Sequence, residues 1–245
     1  MKVVNLAAAA LLWAISAPLV AAPGVGEKVY GATVEKGVSE VEFRYGRLVG
    51  GEADGEDGTV IELSHGFSDR FYGGALFEFE REPGEERRLE AVGAEGIFAL
   101  GNIKAIDTDV AVYGEYEGVR GGADKIETKL LLQHRKGTFD GRLNLIAEKA
   151  LKAGEPVEFG YAASADWELV GDFRGGIEAF GELGSTHRLF PRAEHFIGPM
   201  VKTEIEHLPA RGELEIEAGY LFALGASRDE TRGQARLLLE YEFHF

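Results

Sequence analysis

A chain of 245 residues with a formal net charge of −16 and no cysteine already narrows the field. Such acidity argues against nucleic acid as a partner, because basic patches supply that affinity, and against an anionic surface as the main target. The missing cysteines remove disulfides and thiolate metal sites.

The first segment reads as a secretory signal. Met1-Lys2 gives a positive start, Val3 to Val20 carries no charge, and Ala17, Ala21 and Ala22 are small residues suited to cleavage. Pro23 disfavours a cut directly after Ala22, so cleavage is expected near Ala21. The stretch approaches the length of a membrane span, but small residues and Pro18 crowd its end. Residues 1–22 are taken as the signal peptide and 23–37, which show no period, as a short periplasmic lead-in. After residue 22 no apolar run reaches the roughly 18 residues of a membrane helix.

From Val38 onward the dominant period is two, the mark of strands with unlike faces. Twelve strands are expected, at 38–49, 59–67, 71–81, 88–100, 105–117, 124–136, 139–149, 156–169, 172–183, 195–207, 212–224 and 232–245. Several exceed the usual strand of a soluble protein and match the roughly 9–11 tilted residues that cross a bilayer. Short links (Ser68-Asp69-Arg70, Gly101-Asn102, Lys136-Gly137-Thr138, Val170-Gly171, Pro209-Ala210-Arg211) strictly alternate with longer ones. Membrane barrels have that alternation of short periplasmic turns and longer external loops. Two places resist: Ile97 faces inward if its neighbours face out, and Pro199 interrupts the tenth strand, which suggests a later start or a bulge.

The last strand carries Ala235, Leu237, Leu239, Tyr241, Phe243 and Phe245 on one face and Arg236, Glu240, Glu242 and His244 on the other. In this ending the chain resembles outer-membrane β-barrel proteins of the porin-like class. The resemblance covers the mature chain as architecture and singles out no narrow family. It implies a closed antiparallel all-β transmembrane barrel at 38–245, in the outer membrane of a Gram-negative bacterium after Sec-type export. It also implies contact with outer-membrane lipid and an assembly signal, Tyr241, Phe243 and Phe245, read by the barrel-assembly machinery. The rival is an exported soluble barrel or sandwich with the apolar face inside.

With the apolar face on lipid, the lumen receives Glu40, Glu42, Glu115, Glu117, Glu158, Asp166, Glu178, Glu213, Glu215, Glu217, Glu240 and Glu242. It also receives the cations Arg44, Arg142, Arg174, Lys202 and Arg236. Rings of one sign select by charge, so the expected function is a passive channel for small hydrophilic solutes with a preference for cations. The alternative is a structural or surface-interaction barrel whose lumen is packed and cross-linked by ion pairs.

Other constellations are weaker. The acidic loop Glu52–Gly58 lacks the calcium-loop consensus and reads as solvated. His65, His134 and His207 fall on separate strands near one end, where ring side chains suit the membrane interface. His187 and His195 make a poor metal site, and no metal or cofactor is expected. Ser64 and His65 point to opposite faces, and Ser185-Thr186-His187 has no acidic partner in sequence. Some outer-membrane barrels are lipid hydrolases or acyltransferases that use a serine and histidine at the barrel wall, but no such pair is placed for it here and no enzymatic activity is expected.

Overall fold

The computed structural model describes residues 24–244; the signal segment 1–22 and Phe245 lie outside the described residues. Twelve strands follow in order: β1 (Val38–Gly51), β2 (Asp57–Ser68), β3 (Phe71–Arg81), β4 (Arg88–Ile103), β5 (Thr108–Val119), β6 (Lys125–Lys136), β7 (Phe139–Ala150), β8 (Val157–Val170), β9 (Phe173–Ser185), β10 (Glu194–Leu208), β11 (Gly212–Gly225) and β12 (Thr231–His244). Each pairs with its sequence neighbours, and β1 pairs with β12, closing the sheet. Closure leaves no free edge, which a sheet in hydrocarbon requires. Among the described residues no helix is long and apolar enough to cross a membrane.

The links at 69–70, 104–107, 137–138, 171–172 and 209–211 lie at one end, here the turn end. Those at 52–56, 82–87, 120–124, 151–156, 186–193 and 226–230 lie at the other, the loop end. The expected alternation holds. The fourth strand runs to Ile103 rather than Leu100, so its turn moves from Gly101-Asn102 to 104–107. That extension carries a register shift between Ala99 and Gly101. Pro199 neither delays β10 nor bulges it. It pairs with Ile177 in an unbroken register against β9, and the irregularity on β10 falls instead between Ile205 and Leu208.

The register settles the faces. Tyr241, Val41, Leu63, Ala75, Ala94, Tyr116 and Ile126 are consecutive partners on the outside. Outward side chains such as Phe222 (55% exposed), Ile177 (50%) and Leu63 (49%) have no protein cover. So much exposed apolar surface belongs against lipid. At the turn end Phe67 stacks on Phe71 at 5.9 Å, Phe139 lies 5.1 Å from Trp167 and Tyr241 stacks on Phe243 at 5.7 Å. These pairs form an aromatic girdle of the kind that marks an interface. A soluble barrel has the apolar set inside, the opposite of this arrangement.

The interior departs from a purely polar channel. Leu48, Leu76, Leu131, Phe180, Phe196 and Leu221 face inward and are almost fully buried. All but Leu76 pack against residues 24–37, which form neither helix nor strand and run inside the barrel from the loop end to the turn end. The segment read from sequence as a periplasmic lead-in is thus a strap across the lumen. Gly24 sits beside Gln234 and Phe180, and the amide of Gly37 donates to the Gly66 carbonyl at 2.8 Å.

Candidate functional site: the lumen

Irregular backbone at membrane depth persists only where its polar groups find partners. Inward side chains provide them. Asn144 grips Tyr30 twice, its Oδ1 accepting from the Tyr30 amide at 2.8 Å and its Nδ2 donating to the Tyr30 carbonyl at 3.0 Å. Gln133 accepts from the Ala32 amide at 3.0 Å, and Arg236 donates to the carbonyls of Gly24 and Glu27. Arg142 reaches toward the Val29 carbonyl at 3.5 Å. The wall also makes room. A Cβ on inward Gly46 stands 3.1 Å from the Cα of Val25, and one on Gly58 only 2.8 Å from its Cγ1. Ile97, the residue that spoiled the alternation of β4, packs with Tyr30, Tyr72, Tyr113 and Leu131 beneath the strap.

The lumen's charge is ordered by register. Glu62, Glu42, Glu240, Glu215 and Glu204 are successive partners across β2, β1, β12, β11 and β10. Glu95, Glu115, Glu127, Glu148 and Glu158 are successive partners across β4 to β8. Like charges opposite one another in a ladder are destabilising, so these rows need either cations or water. In the first row Lys28 of the strap lies 2.5 Å from Glu42 and 3.3 Å from Glu240. Arg44 lies 2.8 Å from Glu42 and 2.9 Å from Glu62, and Lys202 lies 3.7 Å from Glu215. In the second, Lys129 lies 2.9 Å from Glu127 and 3.1 Å from Glu27 of the strap, and Lys125 lies 3.6 Å from Glu148. The Tyr30 and Tyr113 hydroxyls donate to Glu95 at 2.9 and 2.8 Å, and Tyr113 also touches Glu115.

The residues expected in the lumen divide by environment. Asp166 pairs with Arg174, Glu178 with Arg236 at 3.4 Å, Glu217 with Lys202 at 2.5 Å, and Arg142 with Asp140 at 3.0 Å. These are buried cross-links. Glu117 and Glu158 toward the loop end, and Glu40, Glu213 and Glu242 toward the turn end, take part in no ion pair among the described residues. Glu40 accepts from the Tyr72 hydroxyl at 2.8 Å. At the loop end a cavity of about 310 Å³ is lined by Glu27, Glu127, Glu148, Glu158, Glu182 and Phe180, among others. Of the residues expected to form an assembly signal, Tyr241 and Phe243 face outward at the turn end, and Phe245 lies outside the described residues.

The strap's Glu27, Lys28 and Tyr30 and the wall's Gln133 and Asn144 escape a reading by alternation. A usable signal exists in apolar runs without alternation, such as Leu130-Leu131-Leu132 and Leu237-Leu238-Leu239, which force one leucine inward.

The remaining constellations resolve into structure. Asp57, expected in the solvated acidic loop, is buried as the first residue of β2 and pairs with Arg81 and, at 2.5 Å, Arg87. Thr186 Oγ1 accepts from the Val157 amide at 3.1 Å and Ser185 Oγ from the His187 amide at 3.3 Å, so both hydroxyls brace the 186–193 loop. Arg192 in that loop grips Asp229 with contacts of 2.6 and 2.9 Å, and this hydrogen bonding holds the Asp229 carboxyl below the usual range. Burial, then the proximity of Glu80, Glu230 and Glu82, raises Glu56 in the first loop. Among the described residues no cluster of three or more histidines and carboxylates has metal-holding geometry.

No protein-family model matches the chain, and neither does any curated protein. Solved structures do match in fold. An outer membrane channel of Pseudomonas putida F1, of the COG4313 group, superposes with a TM-score of 0.58 at 10% identity, covering 92% of this chain and 100% of that one. The NanC porin gives a TM-score of 0.57 at 10% identity, over 84% of this chain and 100% of its own. The KdgM porin in complex with disordered oligogalacturonate gives 0.53 at 12% identity, over 84% of this chain and 99% of its own. At these identities the likeness is one of fold: the chain has the closed, porin-like barrel of outer-membrane channels.

Proposed function

We propose that this protein is a passive outer-membrane channel for small hydrophilic solutes, with a preference for cations. The observation that carries the proposal is the pair of carboxylate rows around the inner wall, with unpaired Glu117 and Glu158 toward one mouth and Glu40, Glu213 and Glu242 toward the other. Fixed negative charge at both mouths concentrates cations and repels anions. The turn end is taken as periplasmic and the loop end as extracellular, as in bacterial barrels generally. The KdgM porin was solved with oligogalacturonate, a polyanion; the acidic wall here disfavours that kind of solute.

The purified chain in a planar bilayer under a salt gradient should show a reversal potential of the sign set by cation permeation. Replacing Glu117 and Glu158 with Gln should move that potential toward zero. A reversal potential of the anion sign contradicts the charge assignment. Absence of current from the wild-type chain instead supports the second reading, a structural barrel with a filled lumen, which the strap and the buried inward Leu48, Leu131 and Leu221 favour.

We also place the assembly signal at Tyr241, Phe243 and Phe245. Replacing all three with serine removes apolar area from lipid and should sharply lower the amount of protein recovered in the outer-membrane fraction. Unchanged recovery would remove these residues from that role.

A further inference from the structure

The first carboxylate row already holds an ammonium ion, supplied by the strap. Lys28 Nζ stands 2.5 Å from Glu42, 3.3 Å from Glu240 and 4.0 Å from Glu62. The Tyr30 ring lies beneath it, 4.7 Å away, a cation–π distance. Glu42 and Glu62 are almost fully buried, and their side chains come from adjacent rigid strands, β1 and β2. The Tyr72 hydroxyl, 2.7 Å from Glu62, braces the wall of this cage. Lys28 belongs to no ladder. It reaches the cage from irregular backbone whose hydrogen bonds at Tyr30 and Ala32 go to wall side chains rather than to a strand. Without Lys28, Arg44 still holds Glu42 and Glu62, but Glu240 loses its only ion pair among the described residues, leaving more carboxylates than cations in a largely buried pocket. A buried carboxylate cluster in that condition must either take up protons or capture a cation.

We propose that Glu42, Glu62 and Glu240 form a binding site for alkylammonium solutes, with Lys28 as its tethered occupant. The solute class is a primary amine on a short aliphatic stem, the chemistry of the lysine side chain itself: a monoamine, or a polyamine that brings more than one charge. Such a solute competes with Lys28 and loosens the strap inside the lumen. As a statement about transport this rests on the channel reading; as a statement about binding it does not.

The test is chemical rescue in the whole chain, folded in detergent micelles. Lys28→Ala should lower the midpoint of thermal unfolding. Adding n-butylammonium chloride should raise that midpoint again, saturably, beyond sodium chloride or tetramethylammonium chloride at equal ionic strength. The wild-type chain, where tethered Lys28 competes for the site, should show a gain only at far higher n-butylammonium concentration, and Lys28→Ala combined with Glu42→Gln and Glu240→Gln should show only the salt effect. If Lys28→Ala does not refold alone, its refolding yield with and without n-butylammonium reads the same question. Lack of a saturable gain over the matched salts, or the same gain in the combined variant, overturns the site. Bilayer recordings on these proteins separate the two claims: rescue without any current keeps the site and removes the channel, whereas current without rescue does the reverse.

Discussion

Arginine in place of Ile216 should lower the stability of the inserted barrel by roughly 2–4 kcal/mol, the cost of a cation on the lipid face near the bilayer midplane. Ile216 lies on the outside of β11 between Leu239 of β12 and Thr203 of β10, in line with the outward Leu214 and Ala218. A guanidinium there meets hydrocarbon, and the arginine stem only partly lifts the charge toward the interface. Glu213 on the same strand faces inward, opposite Glu242. Glu213→Gln should therefore leave insertion almost unchanged, since it removes charge from a crowded acidic wall. Reversible denaturant unfolding in lipid vesicles measures both variants. A loss at Glu213 as large as that at Ile216 contradicts the assignment of faces.

Truncating Tyr30 to alanine should release the strap and lower stability by about 3–5 kcal/mol, the usual cost of deleting a buried large aromatic side chain. Tyr30 is only 3% exposed and packs with Ile97, Tyr113 and Leu131, its ring 4.7 Å from that of Tyr113. Its hydroxyl is one of the donors to Glu95, so Tyr30→Phe should cost less, about 1–3 kcal/mol for a buried acceptor that loses one of its donors. Hydrogen exchange separates strap release from general unfolding. The amides of Tyr30 and Ala32, bonded to Asn144 and Gln133, should lose protection in Tyr30→Ala while the amides of β1 and β12 keep theirs. Retained protection at Tyr30 and Ala32 counts against the strap as a unit anchored by this ring.

These two residues also mark what alternation reveals and what it hides. The faces of β11 and β12 follow from sequence because a period of two is fixed by strand geometry. Link lengths gave the number of strands independently of the faces. Alternation points even Ile97 inward but hides the reason: the residue it serves, Tyr30, lies far away in sequence in a segment with no period. A strap held by wall side chains leaves no periodic trace, because neither helix nor strand geometry governs its spacing. Its partners do leave one, in the inward leucines at 48, 131 and 221 and the inward glycines at 46 and 58 that accommodate Val25. Charge was legible as sign and face. Its division into buried ion pairs and unpaired mouth residues was not, because register and strap together decide which carboxylate meets a cation.

The central claim, a barrel with lipid outside and a polar lumen within, is tested most directly by two single cysteines in a chain that has none of its own. Ile177 is 50% exposed on the outside of β9, and Glu158 is exposed on the inside of β8 at the loop end. A soluble protein with this surface offers both positions to water. In intact outer membranes a membrane-impermeant, water-soluble maleimide should label Glu158→Cys readily and leave Ile177→Cys unlabelled until detergent unfolding exposes it. Efficient labelling of Ile177→Cys in the intact membrane, with Glu158→Cys protected, contradicts the barrel's orientation of faces and the channel built on it.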